Sequence, residues 1–139
     1  LAVEDVRSLR QRPKVDRYAN QLYIVTKMLH YEEALWTEQV SLFLGSNFVL
    51  TFQERPGDCL DSVRERLRTG KGQIRREGAD YLAYAIMDAI VDDYFPFLER
   101  VGEVVEDLEE EVVASPTRRT VGRIHDLKRD LFDVRRAAW

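Results

Sequence analysis

The sequence lacks cysteine pairs, long apolar runs and an excess of positive charge. Its single cysteine, Cys59, cannot form an internal disulfide, which fits a reducing compartment. The longest apolar stretch, Tyr81 to Val91, is interrupted by Asp88 and is shorter than the roughly 20 residues of a membrane-spanning helix. A net charge of −4 argues against general affinity for nucleic acid or anionic lipid. These absences predict a soluble domain.

Recognisable catalytic patterns are also missing. Ser41, Ser46 and Ser62 lie outside the glycine-flanked motif of a nucleophile elbow. No glycine-rich loop links a strand to a helix, as nucleotide binding would require. His30 and His125 have no cysteine or histidine at metal-binding spacing, which favours a structural role for both. The sequence therefore predicts a protein that is not an enzyme.

Residues 1–78 have the patterns of a partial α/β domain. In Gln21 to Tyr31 both alternating rows are apolar, which predicts a strand covered on both faces. Glu38 to Leu44 and Phe48 to Gln53 are predicted as two more strands, joined by a hairpin at Gly45-Ser46-Asn47. We expect an α+β fold of the α/β/α type, with three antiparallel strands packed against helices.

Residues 79–139 have the patterns of a helical hairpin. Apolar residues recur with a period of about 3.6 over 79–114, which predicts one long helix. Pro96 should kink it or free a carbonyl near Asp92. Ser115 and Pro116 are predicted as the N-cap and first residue of a second helix over 116–139. A tight turn should make the two helices antiparallel.

The first of these helices is strongly acidic. Between residues 79 and 115 the sequence has 11 acidic residues and one basic residue, Arg100. On a helical wheel six acids lie nearly opposite the apolar stripe: Asp88, Asp92, Glu99, Glu103, Glu106 and Glu110. A solvated face or pairing with the basic last helix would explain them. The alternative is attraction of a divalent cation, and oxygen-only ligands suit Mg²⁺ or Ca²⁺ better than zinc.

Short motifs follow one another in a fixed order along nearly the whole chain. They are Glu4-Asp5-Val6, Gln11-Arg12-Pro13-Lys14-Val15, Glu38-Gln39-Val40-Ser41-Leu42, Val63-Arg64-Glu65-Arg66-Leu67-Arg68, Ala79-Asp80-Tyr81-Leu82 and Val91-Asp92-Asp93-Tyr94-Phe95. In this order they resemble the CorA family of magnesium and cobalt transporters.

The resemblance implies a function for the acids. It implies the cytoplasmic, metal-sensing domain of a homopentamer that carries Mg²⁺, and often Co²⁺, across the cell inner membrane. Divalent ions bound between subunits would keep the gate closed, with Mg²⁺ as the regulatory ion and Co²⁺ as an alternative. It implies Asp5 as a ligand of the main regulatory site, and Glu4 and Asp88 as ligands of a second one. The other acids of the face, Asp92, Glu99, Glu103, Glu106 and Glu110, would attract cations.

The family's Gly-Met-Asn pore signature and membrane helices are not in this sequence, so we expect no pore residue and no membrane contact here. Leu1 is not a methionine and the helical pattern runs uncapped to Trp139, which predicts a part of a longer protein. Two other interpretations stay open. One is an acidic helical hairpin that binds a basic protein, and the other is the same domain from the family's zinc-transporting branch.

Overall fold

The fold is a four-stranded antiparallel sheet with four helices, in a computed structural model that describes residues 8, 11–31 and 34–138. The strands are β1 (Lys14–Tyr18), β2 (Gln21–Tyr31), β3 (Leu35–Leu44) and β4 (Val49–Gln53), and they pair in sequence order. Each strand is antiparallel to its neighbour, with Tyr23 opposite Phe43 in the central pair. The predicted α+β class is confirmed.

The strand count differs from the prediction, because β1 makes a fourth strand. β1 pairs with β2 from Lys14 opposite Val25 to Tyr18 opposite Gln21. A two-residue turn joins them, and its Ala19 has a φ of 46°. β1 has little sequence signal, because it is short, has charges on both rows and is followed by an alanine in a left-handed turn. β3 also differs from the prediction, because it begins at Leu35, three residues before the predicted Glu38.

The two faces of the sheet pack against different helices. The helices are α1 (Asp61–Thr69), α2 (Ala79–Asp92), α3 (Tyr94–Ala114) and α4 (Arg118–Ala138). On one face a row through Met28 and Val40 packs against Ile86 and Ile90 of α2. On the other face Leu29 shares a core cluster with Phe97 and Ala137, at the start of α3 and the end of α4. The base of the hairpin therefore rests on the sheet.

The predicted helix over 79–114 is divided at Asp93. Pro96 has no N–H to donate to the carbonyl of Asp92, so the helical hydrogen bonding is interrupted there. The Asp93 N–H still donates to the Ala89 carbonyl at 3.2 Å, which closes the last turn of α2. Tyr94, the first residue of α3, donates its hydroxyl to the Lys27 carbonyl at 2.7 Å. This bond fixes the start of α3 against β2.

The turn between α3 and α4 corrects the predicted cap. The last helix begins at Arg118 and not at residue 116. Thr117 Oγ1 accepts from the Thr120 N–H at 3.2 Å, while Thr120 Oγ1 accepts from the Thr117 N–H at 2.9 Å. Thr117 is therefore the residue that caps the helix, in place of Ser115.

Candidate cation site

Asp88 lies on the outer side of α2, where its carboxylate is open to solvent. One turn before it, the Tyr84 hydroxyl donates to Asp88 Oδ1 at 3.2 Å. This hydrogen bond is the main reason why the pKa of Tyr84 is raised. A carboxylate with one such donor keeps most of its lone pairs available for another ligand.

Asp88 shares a shallow cavity of about 280 Å³ with two other carboxylates, Asp92 and Asp93. Asp93 lies at the break between α2 and α3 and is half-buried. Burial raises its pKa, and the nearby His30 opposes that effect. Burial also raises the pKa of the neighbouring Cys59 thiol to about 11, with a smaller contribution from Asp93. The free thiol is therefore protonated at neutral pH, and the three carboxylates supply the charged oxygen atoms of this cavity.

In the sequence Asp93 is one of 11 acids between residues 79 and 115, and helical spacing alone does not set it apart from the others. Pro96, three residues later, is the signal that could have revealed its different position, because the proline breaks the helix and turns Asp93 towards the sheet. Within the described residues, no group of three or more His, Cys, Asp or Glu side chains is arranged to hold a metal ion. The cavity by itself is therefore not a closed metal site.

Asp92 and four further acids extend the negative surface along α2 and α3. All are exposed, and none has an ion pair within the part of the chain that the structure describes: Asp92, Glu99, Glu103, Glu106 and Glu110. Two other acids of α3 do pair with the last helix. Arg123 lies 2.6 Å from Glu111 and 3.8 Å from Asp107. Pairing with the basic helix thus explains two acids of α3 but not the acidic face.

Glu111 differs from those five acids because it is fixed by donors. It accepts from the Thr120 hydroxyl and the Arg123 guanidinium, and these bonds lower its pKa, with Thr120 the larger cause. The bonds hold the tip of the hairpin together. The predicted ligands Glu4 and Asp5 lie outside the described residues, and so does the N-terminal segment that carries them.

The structure also contains a buried carboxylate that the sequence did not single out as important. Glu38 of β3 is 1% exposed and accepts from His30 Nε2 at 3.0 Å. It also accepts from the backbone N–H groups of Glu54 and Arg55 at 2.7 and 2.6 Å. His30 stacks on Trp36 with ring centroids 3.9 Å apart. These contacts give His30 the structural role that was predicted for it.

Comparison with known proteins gives consistent results. A family model described as CorA-like Mg²⁺ transporter protein matches residues 1–139. The cobalt/magnesium transport protein CorA of Thermotoga maritima is 48% identical over 142 residues, which cover all of this chain and 40% of that protein. The CorA of Methanocaldococcus jannaschii is 24% identical over 120 residues, covering 86% of this chain and 38% of that protein. The chain thus spans about two fifths of the length of these relatives.

The solved structures show the same fold. The soluble domain of CorA from Methanocaldococcus jannaschii superposes with a TM-score of 0.80 at 21% identity, covering 97% of this chain and 56% of that one. The complete CorA structure from the same organism gives 0.79 at 18% identity, covering 97% and 43%. Among the described helices, none is long and apolar enough to cross a membrane.

Proposed function

This chain belongs to the CorA-like Mg²⁺ transporter family, and we propose that it is the divalent-cation-sensing part of a transporter for Mg²⁺ or Co²⁺. The observation that carries the proposal is the match of the family model to every residue of the chain. Under this proposal the chain lies on the cytoplasmic side of the cell inner membrane. Transport itself is assigned to parts of the longer relatives that this chain does not include.

Asp88 is the described residue that we assign to a regulatory ion site. Its carboxylate is exposed, has one hydroxyl donor and lies beside two more carboxylates, Asp92 and Asp93. Such oxygen ligands suit a hard cation, and a bound Mg²⁺ would neutralise their charge. By resemblance, Glu4 and Asp5 are assigned to the same function. The remaining ligands would come from a neighbouring copy in the proposed homopentamer.

The exposed acids of α3 have a different function in this proposal. Glu99, Glu103, Glu106 and Glu110 lie along α3. None of these four acids has an ion pair in the described part of the chain, so their negative field extends into solvent. A field of one sign raises the local concentration of counter-ions. These acids would therefore concentrate divalent cations near the subunit interface without holding any one ion.

The proposed mechanism is a change in how neighbouring subunits pack. Carboxylates that face each other across an interface repel, and this repulsion disfavours the closed arrangement of the subunits. A ligand shifts such an equilibrium only when it binds one arrangement more tightly than the other. Carboxylates contributed by two subunits meet this requirement, because they lie together only when the subunits are close.

The test is the substitution Asp88→Asn in the full-length transporter. The change keeps the shape of the side chain and removes its charge. We expect the internal Mg²⁺ concentration that half-inhibits uptake to rise several-fold in proteoliposomes. Asp80→Asn is the matched control, because it makes the same change two turns earlier on α2 and should leave that concentration unchanged.

An unchanged Mg²⁺ response in the Asp88→Asn transporter would contradict the regulatory role of Asp88. Calorimetry on the 139-residue chain separates the alternatives. We expect weak, millimolar Mg²⁺ binding from this chain alone. Tight binding of a basic polypeptide with no response to Mg²⁺ would support the interaction-module interpretation instead.

A further inference from the structure

Tyr94 lies at the junction between α2 and α3, next to the proposed ion site. Asp93 is the single residue between the two helices, and Tyr94 follows it directly. Asp93 lines the same cavity as Asp88 and Asp92, which we call the ion cavity. Because one stiff, planar peptide bond joins Asp93 to Tyr94, a movement of the Asp93 backbone is passed to Tyr94.

The ring of Tyr94 contacts both hydrophobic cores of the fold. It packs against the cluster that joins the sheet to α2, whose members include Met28 and Ile90. It also packs against the cluster on the other face, which contains Leu29 and Ala137. Because protein interiors are close-packed, a side chain in this position cannot move without displacing groups on both faces of the sheet.

The hydroxyl group of Tyr94 lies close to two backbone carbonyls from different elements. It donates to the Lys27 carbonyl of β2 at 2.7 Å, a normal length for such a bond. The Ala137 carbonyl of α4 is 3.5 Å away, beyond the usual limit of about 3.0 Å. Burial raises the pKa of Tyr94 to about 12, so the hydroxyl keeps its proton at neutral pH. With one proton, it donates one full hydrogen bond at a time.

We propose that Tyr94 couples the ion cavity to the end of α4. A shift of its hydroxyl from Lys27 towards Ala137 would release the start of α3 from β2 and hold it to α4 instead. A cation that draws Asp88 and Asp93 together favours one of these arrangements, because it fixes the junction that positions Tyr94. The inference rests on the proposed function of these carboxylates, and it names the residue that passes the effect of the ion to another part of the subunit.

The end of α4 can receive this effect because it is packed inside the subunit. Ala137 is 4% exposed and shares a cluster with Phe97 of α3 and Leu29 of β2. A change in its hydrogen bonding therefore changes how α4 rests on the sheet. The proposed function requires such a connection, since the ion cavity and the transport machinery lie in different parts of the longer protein. These interior contacts would be the same in every subunit of the proposed homopentamer.

A purely structural role for the Tyr94 hydroxyl is the alternative, and Tyr23 offers a matched comparison. Tyr23 is 0% exposed, and its hydroxyl lies 3.2 Å from Ser41 Oγ within the sheet. It is not among the described residues that line the ion cavity. Removing either hydroxyl takes a hydrogen bond from the interior, but only the removal at Tyr94 should alter the response to Mg²⁺.

The substitution Tyr94→Phe in the full-length transporter tests the inference, because it keeps the packed ring and removes only the donor. Uptake into proteoliposomes over a range of internal Mg²⁺ gives the half-inhibiting concentration and the uptake that remains at saturation. The remaining uptake reports how strongly the bound ion favours the closed arrangement. Tyr94→Phe should raise it several-fold, whereas Tyr23→Phe should leave it unchanged. Asp88→Asn should instead shift the half-inhibiting concentration.

Hydrogen exchange in the same transporter gives a readout that does not depend on transport. Saturating Mg²⁺ should change the exchange rates of backbone amides in the last turn of α4, and Tyr94→Phe should abolish that change. Exchange there that is insensitive to Mg²⁺ in the wild type would overturn the inference, and so would the same remaining uptake in Tyr94→Phe and Tyr23→Phe. With a shifted Asp88→Asn response, either result leaves the proposed function intact, whereas an unchanged Asp88→Asn response contradicts the proposed function itself.

Discussion

The molecule has carboxylates in two opposite surroundings, one buried in strand β3 and several exposed on the outer side of helix α3. Glu38 is 1% exposed and accepts three hydrogen bonds from His30 and two backbone N–H groups. Glu103 is exposed and has no ion pair among the residues that the structure describes. The first carboxylate stabilises the fold, and the second leaves its charge available to solvent and cations.

This difference shows that local acidity does not identify a binding surface. Asp58 is acidic and nearly buried, and its carboxylate accepts two hydrogen bonds from Arg64 and one each from the Leu60 N–H and the Gln53 amide. Asp88 has one hydroxyl donor and is open. Burial and the number of donors separate structural carboxylates from available ones, and both properties come from the tertiary structure.

The largest effect is expected at Glu38. Glu38→Ala leaves His30 and two backbone N–H groups without their acceptor, and each unsatisfied group costs about 1–3 kcal/mol. We expect the free energy of unfolding to fall by about 3 kcal/mol or more. Glu103→Ala, the same change on the exposed face, should stay within about 0.5 kcal/mol. Urea denaturation measures both, and similar losses would break the comparison.

A smaller, pH-dependent effect is expected at Asp58. The hydrogen bonds from Arg64 are the main cause that lowers its pKa to about 2 from an ordinary 3.8. A lowered folded pKa gives stability that is present above pH 3.8 and is lost as the pH falls towards 2. Because Arg64 is partly exposed, we expect about 1–2 kcal/mol at pH 7, and Asp58→Asn should lose it.

Asp61 is the matched control for that prediction. It pairs with the same Arg64 at 3.0 Å, but its side chain is 92% exposed. Asp61→Asn should change the free energy of unfolding by less than about 0.5 kcal/mol at any pH. Denaturation from pH 7 down to 2.5 distinguishes the two, and an Asp58→Asn deficit that persists unchanged at pH 2.5 would contradict the assigned cause.

The parts of the fold that follow from local pattern could be predicted. β2 has its predicted bounds, because both faces of Gln21–Tyr31 are apolar and signal a covered strand. β1 was missed, because its five residues are largely charged and Ala19 gives no sign of a left-handed turn. Pro96 predicted a kink near Asp92, but the apolar periodicity continues through this region and could not show that the helix divides at Asp93.

The candidate site could be predicted in part. Helical spacing puts Asp88 and the α3 acids on an outer side, and the exposure of these side chains agrees with that placement. The inward position of Asp93 beside Cys59 and His30 depends on how α2 packs against the sheet. Likewise, Arg123 selects Glu111 and Asp107 through the geometry of the turn, which spacing along one helix does not contain.

The smallest effect is expected on the acidic face itself. Glu106 has like charges three residues away at Glu103 and Glu109 and four residues away at Glu110, and each such pair destabilises a helix by about 0.2–0.5 kcal/mol. At low salt, Glu106→Gln should raise the free energy of unfolding by at least the amount for one such pair. The gain should disappear near 1 M salt, where charges are screened within about 3 Å.

Asp107 provides the sharpest control for this prediction, because it is the next residue and has a partner in Arg123 at 3.8 Å. Asp107→Asn removes an attraction together with the repulsion, so we expect no gain in stability at low salt. Thermal unfolding at low and high salt measures both variants. If Asp107→Asn gained as much as Glu106→Gln, the paired and unpaired acids of α3 would be equivalent, and the distinction between the two sides of the helix would fail.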